Sequence, residues 1–186
     1  MTHKALKFFN VVVFIVLSHS TASHGSGLRN SFWEVAAQAA GVSVTDLYGI
    51  ALQETGMRWD DGTFRPWPWT LVVNGPSTQT FRYASQEETV RALNRLVSHG
   101  ITNVDVGLMQ VNLKFNGNAY VKSPADLVVP RTNVIVATHV LKATLKAANT
   151  KRQGIGHYHS RTPWRSERYA DRVNHYSQKL AYVYQR

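Results

Sequence analysis

The chain has 186 residues, with 21 Lys and Arg against 11 Asp and Glu, a formal net charge of +10 and no cysteine. The absence of thiols excludes a disulfide framework, a thiolate metal site and a cysteine nucleophile, so an exported form must hold together by packing alone. The length suits one domain with a sizeable core, and the positive balance favours a polyanionic partner.

His3, Lys4 and Lys7 form a short basic lead, Val11 to Leu17 is an apolar run, and the small residues Ser20 and Ala22 follow. That run is well short of the roughly 20 apolar residues of a membrane span, so residues 1 to 22 are read as a cleavable signal peptide and residues 23 to 186 as the folded domain. No other segment is apolar enough for a stable membrane span. The charge falls from +10 to +8 once Lys4 and Lys7 leave with the signal. Nucleic acid is the first polyanion to weigh, but export removes the chain from most of it and leaves the cell wall and anionic membrane surfaces. The Arg165, Arg168 and Arg172 stripe is accordingly read as a solvated basic face.

Five stretches are expected to be helical. Ser31 and Glu34 have capping-box spacing before Val35, Ala36 and Ala39, with Gly41 placed as the stop. Ser43 and Asp46 open a second helix through Leu47, Ile50, Ala51 and Glu54, residues whose three-and-four spacing shares one face. That face ends in an acid, inside Glu54-Thr55-Gly56. Burying a carboxylate without a partner is costly and raises its pKa, as a general acid requires; the plainer alternative is a carboxylate at the rim of the core that leans into water. Ser85 and Glu88 repeat the capping device before Val90, Leu93 and Val97, with Gly100 after them. An apolar pattern from Val134 through Leu141 to Leu145 gives a fourth helix. Thr162-Pro163 opens a fifth, with Tyr169, Val173, Tyr176, Leu180 and Val183 on one stripe.

Between the second and third helices, Trp69 to Val73 and Thr80 to Tyr83 are strand-like around the turn cluster Asn74-Gly75-Pro76, and a β-hairpin is expected. Trp59 and Trp67-Pro68-Trp69 give this region a high aromatic density. Aromatic faces suit sugar rings, and a Pro-stiffened loop packed on a helix is the competing account. Farther on, Gly107-Leu108-Met109-Gln110-Val111-Asn112 joins a glycine to a thioether and two amides; alone it reads as a short helix. Gly154-Ile155-Gly156-His157-Tyr158-His159-Ser160 sets a phenol between two histidines, and alone reads as a satisfied core tyrosine. His157 and His159 raise the question of a metal, but two residues apart on a helix they point to nearly opposite sides.

Taken in order, the Glu54-Thr55-Gly56 helix end, the Gly-Leu-Met-Gln segment and the Tyr158 segment resemble the soluble lytic transglycosylase domain, a lysozyme-like family that cleaves peptidoglycan glycan strands. The resemblance covers roughly Phe32 to Val173. Pro66-Trp67-Pro68-Trp69-Thr70 and Tyr158-His159-Ser160 are most similar to members that accompany type IV secretion, conjugation and type IV pilus systems. The resemblance implies a mainly α, goose-type lysozyme-like single domain with a small β-hairpin insertion; the cleavable signal peptide implies a periplasmic location, and a monomer is expected. The resemblance also implies Glu54 as catalytic acid, Thr55 as the adjacent hydroxyl, Tyr158 as the phenol that orients the carboxyl, and Met109 and Gln110 as glycan contacts. Asn112 and Trp69 join these as substrate-binding candidates. No cofactor and no metal are implied. The chain departs from the family at Thr55, where serine is more frequent, and at His159, where asparagine is common.

The chemistry implied is proton donation by Glu54 to the glycosidic oxygen between N-acetylmuramic acid and N-acetylglucosamine, followed by closure of a 1,6-anhydro ring. Most glycosidases use two carboxyl groups instead. A hydrolase of the same fold would need a second acid, for which Asp105 and Asp60 or Asp61 are available; an inactive wall-binding adaptor would need no acid. The secreted form is expected to begin close to Ser23, because Ala22 is a small residue at a suitable distance beyond Leu17. Intact-mass analysis of the periplasmic fraction checks this, and recovery of only the full-length chain in membranes would show that residues 1 to 22 act as an anchor.

Overall fold

The computed structural model describes Leu28 and residues 30 to 184, so the signal-peptide reading of residues 1 to 22 lies outside the described residues. Among the described residues six α-helices dominate: α1 (Phe32–Ala40), α2 (Val44–Thr55), α3 (Gln86–Ser98), α4 (Pro130–Lys146), α5 (Lys151–His159) and α6 (Pro163–Tyr184). Their starts follow from local chemistry. The hydroxyls of Ser31, Ser43 and Ser85 accept hydrogen bonds from the backbone N–H groups of Glu34, Asp46 and Glu88, satisfying amides that a helix leaves without a partner. Pro130 and Pro163 occupy first-turn positions, where a missing N–H costs nothing. Gly41 ends α1 with a φ of 82°.

The expected hairpin is present as β3 (Thr70–Val73) and β4 (Gln79–Arg82), antiparallel with Leu71 opposite Phe81. It is part of something larger. Strands β5 (Val104–Val106) and β6 (Val111–Asn112) continue the sheet in the order β4-β3-β5-β6, and a separate hairpin pairs β1 (Gly56–Arg58) with β2 (Phe64–Pro66). The Gly107–Gln110 stretch is therefore the turn between β5 and β6 and not a helix. Two residues in it take left-handed backbone, Gly107 at φ 77° and Gln110 at φ 49°. At Gly107 a Cβ would lie 2.7 Å from Asn133 Nδ2.

The fifth helix in chain order, α5, was not expected, since each glycine in a helix interior costs about 1 kcal/mol relative to alanine and α5 has two. Close packing accounts for both. A Cβ on Gly154 would lie 2.7 Å from Leu145 Cα in α4, and one on Gly156 would lie 2.5 Å from the Ser166 carbonyl in α6. The glycines let α5 wedge between its two neighbours.

One hydrophobic cluster joins the helices to the sheet. Leu47, Ile50 and Ala51 of α2 meet Leu71 and Val106 of the sheet, Leu141 of α4 and Val173 of α6, all at most 1 % exposed. Among the described residues, no single helix is long and apolar enough to cross a membrane. Polar bonds inside this core are few and specific. Buried Asp46 accepts from Lys151 Nζ at 3.0 Å and from Ser177 Oγ at 2.8 Å, tying α2 to α5 and α6. Burial alone would raise its pKa, but these bonds, the contact with Ser43 and the Lys151 charge hold it below the ordinary value. Asn133, with no exposed surface, donates to the carbonyls of Val106 and Leu127 at 2.8 and 2.9 Å and accepts from Met109 N–H at 2.8 Å.

Replacing Asn133 by alanine strands three buried backbone groups, so Asn133→Ala is expected to cost about 2–4 kcal/mol, at the upper end for a single substitution. Urea unfolding of the purified protein checks this, and a cost within about 0.5 kcal/mol of zero would show that the turn does not depend on the side chain.

Candidate active site

Helix α2 delivers Glu54 to the wall of a cavity of about 490 Å³, which is also lined by Gln110, Asp105, Asn112, Tyr158 and His159. The β3–β4 turn contributes Asn74 and Thr78, and the segment after β6 contributes Phe115 and Asn116. Glu54 is partly buried at the end of an otherwise apolar stripe. Burial pushes its pKa from 4.5 to about 7. The neighbouring Asp105 carboxylate adds to that rise, whereas a hydrogen bond from Tyr169 and the Arg172 charge oppose it.

Tyr169 is the phenol that grips the acid. Its hydroxyl donates to Glu54 Oε1 at 2.6 Å, leaving Oε2 as the oxygen to carry the proton. Burial and the Glu54 charge raise the pKa of Tyr169 well above 10, so it remains a donor whatever the state of Glu54. His159 stacks on the Tyr169 ring at 4.9 Å with planes 5° apart. Burial, with Arg172 and Arg165 next, lowers the His159 pKa, which keeps that ring uncharged beside the acid at neutral pH.

Tyr158 was expected to hold the carboxyl and does not. Tyr158 lines the same cavity, but its hydroxyl donates to the Met109 carbonyl at 2.8 Å, fixing the β5–β6 turn. Thr55 also faces away from the cavity: its buried hydroxyl donates to the Leu108 carbonyl at 2.8 Å, with a longer contact to Ala51 O at 3.3 Å. Thr55 thus locks the end of α2 to the same turn. Met109 is fully buried in the core and absent from the cavity wall, so its side chain serves packing where glycan contact was expected.

Gln110 is in the cavity wall. Its amide nitrogen donates to the carbonyls of Gly107 at 2.7 Å and Thr70 at 3.3 Å, which leaves the amide oxygen for a ligand. Asn112 lines the cavity too, but its amide is committed: the nitrogen donates to Asp105 Oδ1 at 2.7 Å and Asn103 Oδ1 at 2.9 Å, and the oxygen accepts from Phe115 N–H. Asn74 Nδ2 reaches the other oxygen of Asp105 at 2.7 Å. Asp105 therefore stands in the cavity as an acceptor held at both oxygens.

Trp69 is displaced from its expected role. It lies outside the cavity wall, edge-on to Trp67 at 5.4 Å and against the core, while Trp67 packs on Trp59 at 4.8 Å and Arg65 covers Trp59. The tryptophans pack on one another. Arg165, Arg168 and Arg172 are exposed along α6, as expected of a solvated face, although Arg172 is near enough to bias Glu54. His157 lines a different cavity from His159, between α5 and α6, so the two do not share a ligand. Among the described residues, no group of three His, Asp or Glu side chains is placed to hold a metal ion.

Tyr169 was missed because it sits on the apolar stripe of α6 and reads as core. The signal was the one that singled out Glu54, a polar atom on a buried stripe that needs a partner. Comparison of the chain with protein-family models, with curated protein sequences and with solved structures finds no match.

The cavity can present one proton at neutral pH from a preorganised carboxyl, beside amides and a fixed carboxylate. Because the Tyr169 bond favours the ionised form, Tyr169→Phe is expected to raise the Glu54 pKa above about 7, and Asp105→Asn to lower it. Carboxyl NMR titration of the two variants checks the signs; no movement in either would mean that burial alone sets the value.

Proposed function

We propose that the chain is a peptidoglycan lytic transglycosylase that cleaves the β-1,4 bond between N-acetylmuramic acid and N-acetylglucosamine. The observation that carries this reading is Glu54, an acid whose pKa is pushed up to about 7 in the wall of a cavity of about 490 Å³ that Asp105, Gln110 and Asn112 also line. The mainly helical architecture, with the acid at a helix end beside a small antiparallel sheet, fits a lysozyme-like fold.

In this scheme the protonated Oε2 of Glu54 gives its proton to the glycosidic oxygen as the bond breaks. The acetamido group of the substrate stabilises the developing cation. Glu54, now a carboxylate, takes the proton of the muramyl C6 hydroxyl, whose oxygen closes on C1 to give the 1,6-anhydro product and regenerate the acid. Water is not consumed and no cofactor enters. Tyr169 stays hydrogen-bonded to Oε1 through both steps and limits the cost of the ionised intermediate state. Gln110 offers its amide oxygen to an N–H or O–H of the glycan.

We further propose a periplasmic location and a role in opening the wall locally for a secretion, conjugation or pilus apparatus, on the resemblance of the Trp-rich and Tyr158 segments. A second reading, hydrolysis by a muramidase of the same fold, is favoured by one observation: Asp105 shares the cavity with Glu54 and is held in place by Asn74 and Asn112. Product mass separates the two, since an anhydromuramic end is one water lighter than a reducing end.

Glu54→Gln keeps the shape and removes the transferable proton, so muropeptide release from purified sacculi should fall by at least about 10²–10⁴-fold, the usual contribution of general acid–base catalysis. Mass spectrometry of the released products is the measurement. Turnover near that of the parent by a folded Glu54→Gln protein would defeat both readings.

A further inference from the structure

Among the described residues, Phe115 is the most exposed of the large apolar side chains, with 69 % of its surface open, and of those exposed residues it alone lines the Glu54 cavity. Exposure of a single aromatic ring is ordinary on a protein surface. What sets Phe115 apart is that its backbone is held while its ring does no packing in the core. Its N–H donates to Asn112 Oδ1 at 3.1 Å, and the next amide, Asn116 N–H, donates to the Asn112 carbonyl at 3.0 Å. Two residues on, Gly117 lies so close to Leu127 that a Cβ there would be 2.5 Å from Leu127 Cδ1, which pins the turn to the core. A ring presented from a rigid backbone loses little freedom when a flat partner covers it.

Lys114 stands over this ring, its ammonium 5.4 Å from the centroid. Both side chains are exposed. The pair combines an apolar face, suited to the C–H face of a hexose, with a cation beside it.

We propose that Phe115 and Lys114 form a sugar-binding platform at the mouth of the Glu54 cavity, the ring stacking on a hexose of the glycan strand and the ammonium pairing with a carboxylate of a muramyl side chain. The platform rests on the glycan-cleaving reading of the same cavity. It takes the role for which the tryptophans were candidates, because Trp59, Trp67 and Trp69 are turned onto one another while Phe115 is turned outward. Phe115 contributes binding and orientation of the strand, and Glu54 remains the group that moves the proton.

The test uses two probes with the mature protein: the neutral hexamer of N-acetylglucosamine, and peptide-free glycan strands whose lactyl groups carry carboxylates. Binding is read by titration calorimetry in a Glu54→Gln background, and cleavage of sacculi is read in the parent. Phe115→Ala should weaken both probes by roughly two- to tenfold, the range of an aromatic stacking contact, with Phe115→Trp restoring the affinity and neither change altering the unfolding midpoint. Lys114→Gln should weaken only the carboxylate-bearing strands, and salt should erase that difference. Unchanged affinity of both probes for a folded Phe115→Ala protein would overturn the platform while leaving the function intact if sacculi are still cleaved. Equal weakening of both probes by Lys114→Gln would overturn the carboxylate pairing. A protein that neither binds the probes nor releases muropeptides would overturn the function, and the platform with it.

Discussion

The hydrogen bond from Tyr169 to Glu54 is the interaction around which the site is organised. It spans 115 positions of sequence and joins the C-terminal end of α2 to the second turn of α6. Burial and the Tyr169 phenol act on the carboxyl in opposite directions. Burial drives the acid toward its neutral form, and the phenol limits how far that goes, so the group sits near neutrality instead of becoming permanently protonated. His159 lies flat on the ring that makes this bond, which explains how a residue without direct contact to the carboxyl becomes part of its support.

A second set of bonds holds the opposite wall. Asn133, Thr55 and Tyr158 each use a side-chain polar atom to grip backbone between Val106 and Met109, at the turn that joins β5 to β6. Residues from α2, α4 and α5 thus converge on Val106, Leu108 and Met109, at the end of β5 and in the turn after it. This is why Gln110, with its left-handed backbone, can project into the cavity from a turn without drifting. Met109, fully buried in the core, anchors the same turn from within.

Much of this was legible in the sequence, and the exceptions have physical reasons. The serine caps of α1, α2 and α3 act between residues three apart, so spacing alone finds them. Glu54 was legible because a carboxylate interrupts an apolar stripe, a violation visible without coordinates. Tyr169 was hidden because a tyrosine on such a stripe is no violation; only the fold reveals what its hydroxyl reaches. Strands β5 and β6 have three and two residues, too few for an alternating pattern to register. Helix α5 was obscured by glycines that a local reading counts against a helix and that interhelical contact requires. The tryptophan cluster was undecided between packing and binding, since composition does not say which way a ring is turned.

Those glycines have a consequence beyond architecture. Gly156 fixes the gap between α5 and α6, and across that gap His159 on one helix lies against Tyr169 on the other. One methyl group at position 156 would run into the Ser166 backbone and force the two helices apart. Gly156 thus acts as a spacer between the helix that carries His159 and the helix whose Tyr169 phenol holds the carboxyl at position 54.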